Sequence, residues 1–135
     1  MKMMRLPLIL GVVALVGCAT PLRPPADVAH IQLERIDSPV VRVEKIWLER
    51  KKGPLVVTGY IIKRPESTDT TLTHLDVTLF NAEGQVLRDT VEHFEPKQIP
   101  RRYRRPDYAT YRVTLDPLPI GTVRILVRAH EGNHS

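Results

Sequence analysis

Short runs in which apolar and polar residues alternate make up most of the chain from residue 40 onward. Such alternation is typical of strands, because successive side chains of a strand point to opposite faces of a sheet. Residues 26–36 fit neither the helical nor the strand period, and both a helical turn and a short edge strand remain open there. The runs predict strands over residues 40–50, 55–63, 72–80, 85–94, 108–115 and 123–129.

Two local signals sharpen this pattern. Val41 and Val43 alternate in one phase, whereas Ile46 and Leu48 continue in the opposite phase. One extra residue moves the pattern to the other face, so the first strand is predicted to contain a β-bulge. Residues 81–84, Asn-Ala-Glu-Gly, predict a type I turn that closes with glycine in the left-handed region and joins two strands in a hairpin.

Six or seven short strands separated by turn signals predict an all-β protein, an antiparallel immunoglobulin-like β-sandwich. Twelve prolines divide the chain into short segments, which suits strands better than helices. A single cysteine cannot form a disulfide within the chain, so stability must come from a hydrophobic core. The predicted core consists of Val41, Val43, Ile46, Leu48, Val57, Ile61, Leu75, Val77, Leu79, Tyr111, Val113, Leu115, Val123, Ile125 and Val127.

Three segments together resemble a known family. They are residues 57–61 (VTGYI), residues 75–87 (LDVTLFNAEGQVL) and residues 111–113 (YRV). The chain resembles here the FxLYD-type immunoglobulin-like domains of bacterial lipoproteins, with Asn81 where that family usually has aspartate. Asparagine supports the same turn. The resemblance covers residues 40–130 and implies an extracytoplasmic interaction module.

The N-terminus carries the marks of a secretory signal peptide. Lys2 and Arg5 precede the apolar run Leu6–Val16, which is too short to cross a hydrocarbon core that needs roughly 20 residues. Residues 15–18, Leu-Val-Gly-Cys, resemble the lipobox of bacterial lipoproteins. The resemblance implies cleavage after Gly17 and attachment of a diacylglyceryl group to the thiol of Cys18.

This N-terminus predicts the domain organisation and the cellular location of the protein. The predicted parts are a signal peptide (1–17), a lipidated, Pro-rich tether (18–39), a sandwich domain (40–130) and a flexible tail (131–135). Several acyl chains anchor a protein stably to a membrane without a transmembrane helix. Ala19 follows the cysteine where aspartate would signal retention in the inner membrane. We therefore predict a protein on the outer membrane of a Gram-negative bacterium, facing the periplasm.

The sequence offers little for catalysis, and we predict that the protein is not an enzyme and has no cofactor. Its three serines lie outside any Gly-x-Ser-x-Gly motif, and its cysteine is assigned to the lipid. His74 and Asp76 share a strand face that His93 could approach, and His130 and His134 are four residues apart. Solvent-facing positions explain these histidines more simply, so no metal site is predicted. The predicted periplasmic location argues against nucleic acid as the partner of this mildly basic chain, so no nucleic-acid partner is predicted.

A basic loop is the most unusual surface feature. It contains Lys97, Arg101, Arg102, Tyr103, Arg104 and Arg105, with no acidic residue between Pro96 and Pro106. Charge and proline protect sheet edges from pairing, which is one interpretation. Arginine also suits phosphate and carboxylate, which makes an anion-binding loop the other. The predicted function is a protein-interaction or structural accessory of an envelope assembly, such as a secretion or pilus system. The alternative is a binding module for an anionic envelope glycan or lipid.

Overall fold

The computed structural model describes residues 23–50, 52–101 and 107–132. Gly17 and Cys18 lie outside these residues, as do Arg102–Arg105 of the basic loop. No helix in the described part of the chain has the length and apolar character needed to cross a membrane. The elements are a 3₁₀ turn η1 (Ala26–Val28) and the strands β1 (Gln32–Ile36), β2 (Val41–Glu49), β3 (Val56–Lys63), β4 (Thr73–Phe80), β5 (Val86–Glu92), β6 (Tyr108–Thr114) and β7 (Arg124–Glu131).

The seven strands of the described residues form two sheets, with the order β1-β7-β4-β5 in one and β2-β3-β6 in the other. The prediction of an all-β sandwich is confirmed. The apolar character of both faces of β3 reflects its central place between β2 and β6. One pair departs from the antiparallel arrangement, since β1 runs parallel to β7.

The core fills the space between the sheets and follows the predicted alternation. Most predicted core residues are buried, but Ile46 and Val123 are only partly buried. Several buried residues lie outside the predicted set, and most of them come from connections, where burial follows no period. These are Val28, Ile31, Leu55, Phe94, Ile99, Ala109 and Ala129.

Both interpretations of residues 26–36 hold, for different residues. The first part forms η1 and the second part forms β1 at the edge of the four-stranded sheet. The sheet therefore begins at Gln32, ahead of the predicted boundary at residue 40. At the other end of the chain, β7 continues to Glu131, within the predicted tail. The Glu131 carboxylate accepts hydrogen bonds of 2.7 Å from the hydroxyls of Ser38 and Thr73, which holds this residue in place.

The predicted bulge is confirmed between Val43 and Lys45 of β2. Tyr111 on β6 pairs with Gly59 on β3, and its hydroxyl donates a 3.0 Å hydrogen bond to the carbonyl oxygen of Lys45. The tyrosine thus spans the central strand and ties the bulge to the opposite edge of the sheet. Its side chain crosses the backbone of β3 where glycine leaves room for it.

Burial raises the pKa of Tyr111 well above its usual value of 10.0. The folded state therefore keeps the phenolic proton to a higher pH than the unfolded state does. This contribution to stability is complete below about pH 10 and is lost as the pH rises, by up to about 1.4 kcal/mol per pH unit. We expect the stability difference between wild type and Tyr111→Phe to shrink above about pH 10 in urea unfolding. A pH-independent difference would contradict this.

The two ends of the sandwich differ. The entry end is defined by Asp27 in η1, whose carboxylate lies 2.9 Å from Arg50 at the end of β2, and by the turn at residues 81–85. This ion pair lowers the pKa of Asp27 through the hydrogen bond from the guanidinium. The far end carries the connection of residues 64–72 and the segment 93–101 that follows β5. An eight-residue strand separates the ends by roughly 26 Å.

Candidate functional site

Three aromatic side chains form a row across the outer face of the three-stranded sheet. Trp47 on β2, Tyr60 on β3 and Tyr108 on β6 occupy neighbouring strands. The ring centroids of Trp47 and Tyr60 are 5.5 Å apart, and those of Tyr60 and Tyr108 are 5.7 Å apart in an edge-to-face arrangement. Tyr60 is 36% exposed and Tyr108 52% exposed. We call these three residues the aromatic row.

A shallow pocket adjoins the aromatic row at its Tyr108 end. It has a volume of about 220 Å³ and is lined by Glu44, Tyr60, Ile62 and Tyr108. Its lining is mostly apolar, with the Glu44 carboxylate as the charged group. The rings sit on strands rather than on loops, so the surface is fixed in shape before any partner arrives.

Charged side chains surround the aromatic row. Arg112 on β6 contacts the Glu49 carboxylate at 2.5 Å, and the indole nitrogen of Trp47 lies 3.4 Å from the other oxygen of Glu49. Arg112 remains 58% exposed at its side chain, and Lys45 is exposed on the neighbouring strand. The result is an apolar centre with a polar rim, the arrangement found in protein interfaces.

The first half of the basic loop is held firmly in the fold. Phe94 and Ile99 are buried in the core. The Thr70 hydroxyl donates a 2.7 Å hydrogen bond to the carbonyl oxygen of Lys97 and accepts one of 2.9 Å from the backbone N–H of Ile99. The backbone of Glu95 pairs with β6 through two hydrogen bonds of 2.8 Å, which covers part of that sheet edge.

The charged residues of the loop that the structure describes, Lys97 and Arg101, are exposed. Residues 102–106, with the other four members of the predicted site, lie outside the described part of the chain. The chain rejoins the sheet at Asp107, whose carbonyl oxygen accepts a 3.2 Å hydrogen bond from the Lys63 N–H. Tyr108 follows directly, so the basic loop ends beside the aromatic row.

A separate polar cluster lies on the outer face of the other sheet. His74 on β4 and His130 on β7 are paired directly, and Asp76 follows two residues along β4. Nδ1 of His130 lies 3.2 Å from Nε2 of His74, which in turn lies 3.7 Å from Oδ1 of Asp76. His74 and Asp76 are 5% and 8% exposed, while His130 is half-buried. We call these three residues the histidine cluster.

The histidine cluster differs from the arrangement considered from the sequence. His93 is exposed beyond the end of β5, and the structure brings His130 rather than His93 to His74 and Asp76. His134 lies outside the described residues. The sequence shows that His74 and Asp76 share a face, but it does not show that β7 is the neighbour of β4. That pairing is decided by strands separated by more than 40 residues.

Comparison with protein-family models, curated proteins and solved structures finds no match to this chain, so its resemblance to FxLYD-type lipoprotein domains stays a prediction.

Proposed function

We propose that the protein is a non-catalytic, lipid-anchored module of the bacterial envelope that binds a protein partner through the aromatic row. The observation that carries this proposal is the set of three contacting rings presented on the outer face of a sheet. Trp, Tyr and Arg are the residues most enriched where protein interfaces concentrate their binding energy. Trp47, Tyr60, Tyr108 and Arg112 provide this composition on one continuous surface.

The physical reason is the combination of large apolar area with little conformational freedom. Each ring has two side-chain torsions and is further restrained by its aromatic neighbour. Binding therefore orders few groups, and the loss of entropy that opposes association is small. Burial of the exposed rings in an interface also favours binding, since about 25 cal/mol of free energy is gained for each Å² of apolar area removed from water.

The proposed anchor gives this surface an orientation. The 3₁₀ turn η1 at the entry end begins at Ala26, eight residues after Cys18. Eight residues span at most about 29 Å, so the entry end is the end of the sandwich nearer the lipid. Tyr108 is the first residue of β6 and lies toward the far end. The Tyr108 end of the aromatic row then lies farther from the anchoring membrane than its Trp47 end, which adjoins Pro24 and Pro25.

We expect the double variant Tyr60→Ala/Tyr108→Ala to lose its partner. Removing a central aromatic anchor costs about 2 kcal/mol, or about 30-fold in affinity, so recovery of the partner by the double variant in crosslinked envelope extracts should fall by more than about 30-fold. Loss of the two ring contacts should also lower the free energy of unfolding, by about 0.5–1.5 kcal/mol for each contact, so recovery is compared under conditions in which both proteins are folded. Thr114→Ala, at an exposed position of β6, the strand that carries Tyr108, is the matched control. Recovery of one stoichiometric protein by the double variant at the wild-type level would disprove this role.

A second candidate is binding of an anionic glycan or lipid headgroup by the basic loop. The observation that favours it is the exposure of Lys97 and Arg101 on a segment held by core residues. Replacement of Arg101, Arg102, Arg104 and Arg105 by serine should weaken binding to peptidoglycan or lipopolysaccharide. The wild-type binding should fall as salt rises, because exposed charges are screened. Salt-independent recovery of a protein, unaffected by these four substitutions, favours the aromatic row instead.

A further inference from the structure

We propose that the histidine cluster is a binding site for a divalent transition-metal ion, with Zn²⁺ as the best match. The site consists of His74, Asp76 and His130, and it lies on the opposite outer face from the aromatic row. It therefore does not depend on the function proposed above. Two central strands of the four-stranded sheet supply all three side chains, so the backbone that carries them is rigid.

The spacing of the ligand atoms fits one ion. Zn²⁺ is bound by histidine nitrogen at about 2.0–2.1 Å and by carboxylate oxygen at about 2.0–2.2 Å, so tetrahedral ligands are separated by roughly 3.4 Å. The separation of the two histidine nitrogens is 3.2 Å, and that from His74 to Asp76 is 3.7 Å. All three atoms lie within 4.8 Å of one another. An ion between them needs only small side-chain adjustments.

The donor set selects the class of ion. Two imidazole nitrogens and one carboxylate oxygen suit Zn²⁺, and they also suit Cu²⁺ and Ni²⁺. Ca²⁺ and Mg²⁺ require oxygen ligands, of which the cluster offers one carboxylate. We therefore expect the site to discriminate strongly against these two ions.

Burial divides the cluster into a closed side and an open side. His74 and Asp76 are nearly inaccessible, whereas His130 is only half-buried. An ion enters past His130, and a water molecule completes its coordination from the same direction. Three protein ligands and one water is the number found in zinc sites with an open position.

Arg128 influences the affinity of the site for the metal ion in two ways. Its guanidinium lies 3.2 Å from Oδ2 of Asp76, while Oδ1 faces His74. Hydrogen bonding to one carboxylate oxygen orients the other, as outer-shell partners of metal ligands do. The same positive charge repels a cation. The two effects together predict a site of moderate affinity that fills and empties with the available zinc.

Without metal, the 3.2 Å contact between the rings is a hydrogen bond in which one histidine donates to the other. The metal replaces the shared proton at this position. Binding consequently requires both ring nitrogens that face each other to be free of protons. A neutral imidazole meets this requirement by carrying its proton on the other ring nitrogen, whereas a ring protonated on both nitrogens cannot bind the ion, so uptake is expected to weaken in acid.

The test is a titration of the full-length protein, purified in detergent and freed of metal, with zinc chloride. We expect one Zn²⁺ per chain by calorimetry, and a visible spectrum of tetrahedral character when Co²⁺ is used instead. Nitrogen NMR of the histidine rings should show shifts for His74 and His130, with His30 and His93 unchanged. These measurements need no variant, so they decide the proposal even where a substitution impairs folding.

Variants provide the matched comparison. His130→Ala and Asp76→Asn should each weaken zinc binding by more than about tenfold, which is the effect of losing even an outer-shell partner. His93→Ala, an exposed histidine at the end of β5, should bind as the wild type does. Absence of zinc uptake by the wild type, or equal uptake by a folded His130→Ala variant, would overturn the proposal.

Discussion

Replacement of Gly59 by alanine is expected to destabilise the protein by about 3 kcal/mol or more, a large effect for the addition of one methyl group. A Cβ at this position would collide with the carbonyl group of Lys45 and would lie 2.5 Å from the Tyr111 hydroxyl. The Lys45 carbonyl belongs to the bulged backbone of β2, which cannot move without loss of the β2–β3 pairing. The hydrogen bond from Tyr111 to Lys45 would also be lost.

Gly84→Ala separates this close approach from the ordinary cost of glycine replacement. Gly84 closes the hairpin turn at a φ of 78°, and a Cβ there meets nothing within 4 Å. Its replacement carries only the backbone strain of the left-handed region, about 1–2 kcal/mol. Urea unfolding of the two variants measures the difference. A Gly59→Ala variant no less stable than Gly84→Ala would show that the packing around Gly59 is looser than described.

Phe94→Ala is the second substitution with a large expected effect, about 3–5 kcal/mol. The side chain is 1% exposed and belongs to the core, although it lies in the connection after β5. The loss has two causes. Apolar contacts disappear, and a cavity remains because the surrounding core relaxes only partly. Val91→Ala in the adjacent strand, where the side chain is 49% exposed, should change stability by less than about 0.5 kcal/mol.

Phe94→Ala should also loosen the surface segment that leads into the basic loop. Phe94 and Ile99 hold the segment that begins the basic loop, and Glu95 between them pairs with Thr110 on β6. Loosening of this segment should increase amide exchange at Glu95 and Thr110, whose N–H groups bond across the pair. Unfolding monitored by circular dichroism gives the stability, and hydrogen exchange locates the opened residues. Unchanged stability with a solvent-exposed Phe94 would contradict the described packing.

The two proposed binding surfaces can be tested separately, because they belong to different sheets. The aromatic row lies outside the three-stranded sheet, and the histidine cluster lies outside the four-stranded sheet. Substitutions at Tyr60 and Tyr108 should leave zinc binding unchanged. His130→Ala should leave partner recovery unchanged unless the partner spans both sheets. Each proposal thus supplies a control for the other.

Alternation in the sequence was sufficient for the strands and for most of the core. Apolar residues at every second position leave one face to bury, so β2, β3, β4, β6 and β7 could be predicted within a few residues of their observed ends. The bulge was also predictable, because the phase change between Val43 and Ile46 has no other simple cause. The turn at residues 81–84 followed from its own local chemistry.

Connections gave weaker signals, because their buried residues follow no period. Phe94 and Ile99 stand among prolines and charged residues, and nothing near them in sequence indicates a core position. The strand β1 was equally difficult to predict from the sequence. It pairs in parallel with β7, a strand about 90 residues away, and its burial depends on that partner.

The sequence by itself determined the class of fold and the bulge, because these depend on the periodicity of apolar residues. It also predicts a lipid anchor, because that depends on a contiguous motif. Only the tertiary structure decided which side chains meet. Trp47, Tyr60 and Tyr108 form a row because β2, β3 and β6 are neighbours, and His130 reaches His74 because β7 pairs with β4. Strand order arises from long-range packing of two sheets around one core, and a surface built across strands exists only once that order is fixed.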